Sequence, residues 1–260
     1  MNDMISDTQP GGMPSAGMSP DGTPIAPPPS TAEALVGVLT APSSTFKALA
    51  ARPTWSFLAP LVILLIVATL SNFFFMKRAD MEQVIRTQIR QSPNSAQMTQ
   101  ANMDQAVQMG LKIAKYSMYF SFVIMPIFLV VMALIFWLAI LISGERITFG
   151  NCFRVICWGQ IPRALSLLLF ILIIFLKDPT YIDPGNPIMS NLGAILGLDR
   201  LGKPLYALLS DLDIFAVWTL WLYSVGFAAF AKSKTGKMAG VVFGLYAIYI
   251  AGHVAFKAIF

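Results

Sequence analysis

Five stretches of this chain are long, apolar and almost free of charge. They run from about Trp55 to Met76, Tyr119 to Ile142, Phe153 to Leu176, Ile214 to Ala231 and Met238 to Phe256. Each meets the length a helix needs to cross a bilayer, about 20 residues. No water is available in hydrocarbon, so every backbone N–H and C=O must be paired within the segment or across a closed barrel. These runs are too long and too continuously apolar for barrel strands. The fold class that follows is all-α: an integral membrane helical bundle of five transmembrane helices with short interfacial helices beside them.

Composition agrees. Hydrophobic residues make up 56% of the chain and charged residues 12%, with a mean hydropathy of +0.67. A soluble domain carries roughly 25% charged residues, so about half the polar surface that keeps such a fold in solution is missing. This excludes a soluble enzyme, a nucleic-acid binder and a disordered chain. The formal net charge of +5 falls beside the apolar runs, at Lys77, Arg78, Lys112, Lys115, Lys232, Lys234 and Lys237. That placement suits lipid headgroups rather than nucleic acid. Trp55, Tyr116, Tyr119 and Tyr206 suit the aromatic belt at the interface. Trp137, Trp218 and Trp221 lie further inside their runs and are expected to pack between helices.

Residues 1–30 hold seven prolines and four glycines and cannot bury enough apolar surface to offset their ordering entropy. They read as a disordered tail, with a membrane domain over 31–260, and no basic-then-apolar secretory signal is visible. Ala32 to Leu39 and Phe46 to Ala51 are short apolar pieces expected to lie in the interface. Ser43 or Ser44 is expected to cap the second and Pro53 to end it. Between Lys77 and Lys115, Met81, Val84, Ile85 and Ile89 repeat at helical spacing, as do Met103, Val107, Leu111 and Ala114. Ser92-Pro93-Asn94 breaks between them, which predicts a helical hairpin extending spans one and two beyond the membrane. The connection after Lys177 opens with turns at Asp178-Pro179, Asp183-Pro184-Gly185 and Asn186-Pro187. Short helices over 192–198 and 205–212 are expected to follow.

Catalytic patterns are missing. There is no Gly-rich phosphate loop, HExxH or GxSxG. Neither a catalytic residue, a metal-ligand set nor a cofactor is expected. Cys152 and Cys157 fall on different faces of a helix with no His, Cys or carboxylate cluster beside them, and read as buried structural thiols. The one histidine, His253, reads as a hydrogen-bonded packing residue. Arg163 stands about 15 Å into the third run, where a charge costs at least ~2.5 kcal/mol. The favoured solution is a helix break at Gly159-Gln160-Ile161-Pro162. Residues 153–159 then lie partly along the interface and Arg163 snorkels or faces a polar cleft. The alternative is a substrate or ion path, which would make the chain a transporter or channel component. Asp211 and Asp213 are expected to cap span four. Gly240 and Gly244 form a GxxxG pair continued by Ala247, Ala251 and Ala255. Packing within the chain is the favoured reading, and a homo-oligomer contact the alternative.

The chain resembles the Yip (Ypt-interacting protein) domain family over about residues 31–260. The resemblance rests on Leu35-Val36-Gly37-Val38-Leu39-Thr40-Ala41-Pro42 with Thr45-Phe46 after it. It rests also on Phe149-Gly150-Asn151-Cys152-Phe153-Arg154-Val155-Ile156 running into Ile161-Pro162. The third stretch is Asp211-Leu212-Asp213-Ile214-Phe215-Ala216-Val217-Trp218, with Ser224-Val225-Gly226-Phe227 behind it. These stretches, with the mid-span Arg163 and the GxxxG pair, give Pro42, Arg154, Pro162, Arg163, Asp211, Asp213, Trp218, Gly226, Gly240 and Gly244 as the candidate structural or partner-contact residues. The resemblance implies a five-span bundle with a cytoplasmic N-terminus, no catalysis, and contacts with other integral membrane proteins in addition to the lipid bilayer. Eukaryotic members bind Rab-type small GTPases in vesicle transport. This tail lacks their acidic, aromatic segment and is closer to the bacterial branch, some of whose members accompany an export transporter. The implied location is the bacterial cytoplasmic membrane. Counting Lys and Arg on the two sides favours the opposite orientation, whereas the resemblance and the Lys-rich turn at 232–237 place the N-terminus inside.

Overall fold

The computed structural model describes residues 29–90, 92, 95–182, 187–197 and 201–259. The expected tail over 1–30 falls almost wholly outside the described residues, as do Pro93, Asn94, the turn at 183–186 and Leu198. Among the described residues all regular elements are helices. The candidate spans are Thr54–Arg78, Phe122–Ile142, Phe149–Leu176, Ile214–Ala231 and Thr235–Ile259. The five-helix membrane bundle expected from the apolar runs is the fold.

Helix α1 (Thr31–Thr40) opens on a capping box: Ser30 Oγ accepts from the Glu33 N–H at 3.2 Å, and Glu33 accepts from the Ser30 N–H at 2.6 Å. The Ser30-x-x-Glu33 pattern that encodes it was open to reading in the sequence. Helix α2 (Pro42–Ala50) starts on Pro42, whose fixed φ and missing N–H suit a first helical position. The cap expected from Ser43 or Ser44 is not there. Both lie inside the helix, and Ser44 Oγ donates back to the Ala41 carbonyl at 3.0 Å. Beyond lying against the bundle, α2 inserts Phe46 and Leu49, both 0% exposed, into its core.

Helix α3 (Leu58–Arg78) buries Leu61, Leu64 and Val67 and exposes Val62, Ile66 and Leu70. Both faces are apolar because protein covers one and lipid the other. Past its end, α4 (Met81–Arg90) folds against the first turns of α5 (Gln100–Ile142), forming the expected hairpin. Gly110 of α5 admits the Ile85 side chain to where a Cβ would stand, 2.7 Å away. Span two is thus the inner half of a single 43-residue helix, which at 1.5 Å per residue is about 64 Å long, twice a hydrocarbon core.

The third span is broken. Helix α6 (Phe149–Gly159) and α7 (Ile161–Leu176) meet at Gln160, which closes one and opens the other. Pro162 stands in the first turn of α7, where it brings no N–H to continue the ladder. The break is where the sequence places it, but residues 153–159 do not lie along an interface. Cys152 and every residue from Arg154 to Gly159 are buried, so α6 is the innermost helix of the bundle. Short helices α8 (Leu192–Leu196) and α9 (Lys203–Asp211) lead into α10 (Ile214–Ala231) and, through the Lys232–Lys234 turn, into α11 (Thr235–Ile259).

Contacts between loops fix the sidedness. Glu145, between spans two and three, accepts from Lys237 Nζ at 2.7 Å and Ser233 Oγ at 2.8 Å, beside the turn between spans four and five. On the other side, the Asp80 N–H after span one donates to Thr180 Oγ1 after span three at 2.9 Å. Phe74 of α3 meets Phe175 of α7 with ring centroids 5.1 Å apart, so spans one and three run in the same direction. From Thr54 to Ile259 the chain alternates sides five times, so the start of the first span and the end of the fifth lie on opposite sides.

Candidate functional site

Two arginines of the broken third span have opposite environments. Arg154 is 2% exposed and makes four hydrogen bonds. Its Nη2 donates to the Leu49 carbonyl and, at 3.0 Å, to the Arg52 carbonyl. Nε donates to Ser56 Oγ at 3.2 Å and Nη1 to Asn151 Oδ1 at 3.0 Å. The guanidinium also stacks over Phe230, 4.9 Å from the ring centroid. No carboxylate is among these partners. The cation is held by carbonyl oxygens at the C-terminal end of α2, where the helix dipole is negative. Arg154 therefore ties α2, the 54–57 turn, α6 and α10 together. Ser56 and Asn151 are residues that sequence reasoning missed, because they matter only through this arginine.

Arg163, by contrast, is exposed and makes no hydrogen bond or ion pair among the described residues. It lines a cleft of about 750 Å³ between α5, α7, α10 and α11. One wall is apolar and comes from α5, through Met125, Phe128, Met132 and Ile135. The floor is polar: Gln160 Nε2 donates to Tyr223 Oη at 2.8 Å beside Arg163. Gly159 makes room for Tyr223, whose ring lies 2.4 Å from where a Cβ would stand.

At the mouth of the cleft the two aspartates before α10 have separate roles. Asp213 caps α10, accepting from the Phe215 N–H at 2.8 Å and the Ala216 N–H at 3.2 Å, and its other oxygen accepts from Ser190 Oγ. Asp211 does not cap α10. It ends α9 and meets His253 Nδ1 of α11 at 2.7 Å, while its carbonyl accepts from Tyr246 Oη. Tyr249 stacks on both Tyr246 and His253. These three occupy one face of α11 at spacings of three and four, a polar stripe visible in the sequence once the period is applied. The lone histidine is thus a hydrogen-bonded contact between span five and the connection before span four.

Glycine separates inner from outer surfaces. A Cβ on Gly226 would come within 2.6 Å of Val155 and 3.0 Å of Phe46, so α10 needs glycine there to touch α6 and α2. Gly240 and Gly244 have nothing within 4 Å. Packing within the chain, the favoured sequence reading of that pair, is not what the structure has: both glycines are exposed and their face of α11 points outward. Trp218 packs against the core as expected, whereas Trp221, at 47% exposed, faces outward instead of lying between helices. Cys152 and Cys157 are both buried and free, and Cys152 Sγ donates to the Ala133 carbonyl at 3.3 Å. Among the described residues no three His, Cys, Asp or Glu side chains gather as a metal site would need.

The Yip1 domain profile matches residues 36–256. The membrane protein YknW of Bacillus subtilis (strain 168) is 23% identical over 220 residues, covering 83% of this chain and 87% of that protein. No solved structure matches.

Proposed function

Because the chain belongs to the Yip1 domain family, we propose that it works without catalysis, as a multi-pass protein of the bacterial cytoplasmic membrane that holds other integral membrane proteins. The observation that carries this is the outward face of α11. Gly240 and Gly244, one turn apart on that face, have open space where a Cβ would stand, while Gly159 and Gly226 inside the bundle are crowded. Small residues on a lipid-facing helix let a second helix approach closely, and close approach is what drives association where lipid offers no hydrophobic force. The hairpin of α4 and α5 outside the membrane is the second contact surface. The fitting partner class is an export transporter, as in the bacterial branch. A small GTPase fits less well, since the acidic, aromatic segment used by GTPase-binding relatives is missing from 1–30. In this reading the N-terminus and the Lys-rich turn face the cytoplasm.

The test is native co-purification in mild detergent of the wild type and of a Gly240→Leu/Gly244→Leu double variant. The expected result is an unchanged thermal midpoint, since neither leucine meets a neighbour, with loss of co-purifying membrane protein. A double variant that keeps every partner would refute the assignment of this face.

A further inference from the structure

An arginine at mid-span with no hydrogen-bond or ion-pair partner among the described residues demands an account. Arg163 stands on α7 one turn past the Gln160 break, beside the Tyr223 hydroxyl halfway along α10. A cation at that depth is costly, and an anion beside it would offset that cost. The two carboxylates on the same cleft cannot serve. Asp213 is engaged by Ser190 and two backbone N–H groups, and Asp211 by His253. What remains is a cleft of about 750 Å³ with one positive charge unpaired among the described residues, the Gln160 amide on the same cleft, and an apolar wall.

That wall leads to the bilayer. Phe128 and Ile135 line the cleft and are 58% and 50% exposed. From Met125 to Ile135 the wall runs about 15 Å along α5, room for most of one acyl chain. From this geometry we infer that the cleft binds an anionic phospholipid: its phosphate sits on Arg163 and its acyl chain lies along Met125, Phe128, Met132 and Ile135. Arginine suits this role because its fork of N–H donors can grip two phosphate oxygens at once. A zwitterionic lipid carries its own cation beside the phosphate and so offsets less of the cost at Arg163, which favours the anionic class. This inference is independent of the partner contact on α11.

The experiment uses the full chain, purified and stripped of lipid in detergent. It is titrated with phosphatidylglycerol, phosphatidylcholine or inorganic phosphate and followed by native mass spectrometry and thermal shift. The wild type should retain phosphatidylglycerol in preference to phosphatidylcholine. Arg163→Gln should weaken that retention roughly tenfold to hundredfold, the worth of a charge-assisted hydrogen bond, while Arg163→Lys keeps most of it. Lys232→Gln, in the turn away from the cleft, should match the wild type. Ile135→Trp leaves Arg163 intact but blocks the wall, and should also lose the lipid. Equal retention by Arg163→Gln or Ile135→Trp, equal binding of phosphatidylcholine, or full protection by inorganic phosphate alone would each overturn the inference.

Discussion

At the scale of single residues, the same residue type has contrary effects depending on what surrounds it. Arg154→Met strands the Leu49 and Arg52 carbonyls and Ser56 Oγ inside the bundle. It should cost about 2–4 kcal/mol, read as a lowered thermal midpoint in detergent. Arg154→Lys should fall between, because a single ammonium cannot reach all the acceptors the fork reaches. Gly226→Ala should cost about 1–3 kcal/mol, since its Cβ would lie 2.6 Å from Val155. Gly240→Ala, facing open space, should be neutral or slightly stabilising through better helix propensity. The sequence showed Arg163 as an oddity and Arg154 as merely the edge of a run. The difference is carried by carbonyls 105 and 102 residues away in the chain, which local pattern cannot reveal. Asp211 is a similar case: its short-range reading was a cap, and its partner is 42 residues away on another span.

At the scale of elements, the helices themselves were legible. Run length set the spans, Pro162 marked the break in the third, and apolar spacing marked the hairpin. Which face packs inward was not legible, because a helix between protein and lipid is apolar on both sides and loses the amphipathic period. Hence α6 reads like an interfacial piece and is the innermost helix, while the glycine face of α11 reads like a packed one and points outward. The short elements carry a pH signature. The Ser30 N–H, and after it the Ser30 hydroxyl, hold the Glu33 carboxyl below its ordinary value of about 4.5. A depressed carboxyl contributes stability above its unfolded pKa and loses it as pH falls through the folded value. Protection of the α1 amides against hydrogen exchange should therefore be full at neutral pH and fade only below about pH 4.5. Glu33→Gln should remove that acid dependence. The Lys237 and Ser233 hydrogen bonds depress Glu145 in the same sense, so the contact between the two loops on that side should loosen over the same acid range. In the hairpin, Gly110→Leu should push Ile85 aside and expose α4 to protease while leaving the spans intact.

At the scale of the whole molecule, the account stands on a chain that alternates sides five times. Glu145 with Lys237 and Ser233 ties two loops on one side, and Asp80 with Thr180 and Asp211 with His253 tie the opposite side. The bundle's inner contacts, the outward glycines of α11 and the cleft at Arg163 all take their meaning from that arrangement. The most direct measurement is labelling of single cysteines by a membrane-impermeant maleimide in sealed vesicles. The background is a variant lacking Cys152 and Cys157, both of which are buried. Lys47→Cys and Lys234→Cys should label together from one side only, and Arg90→Cys and Lys177→Cys together from the other. If Lys47→Cys labels from the same side as Arg90→Cys, or Lys234→Cys from the same side as Lys177→Cys, the chain does not cross the membrane as described.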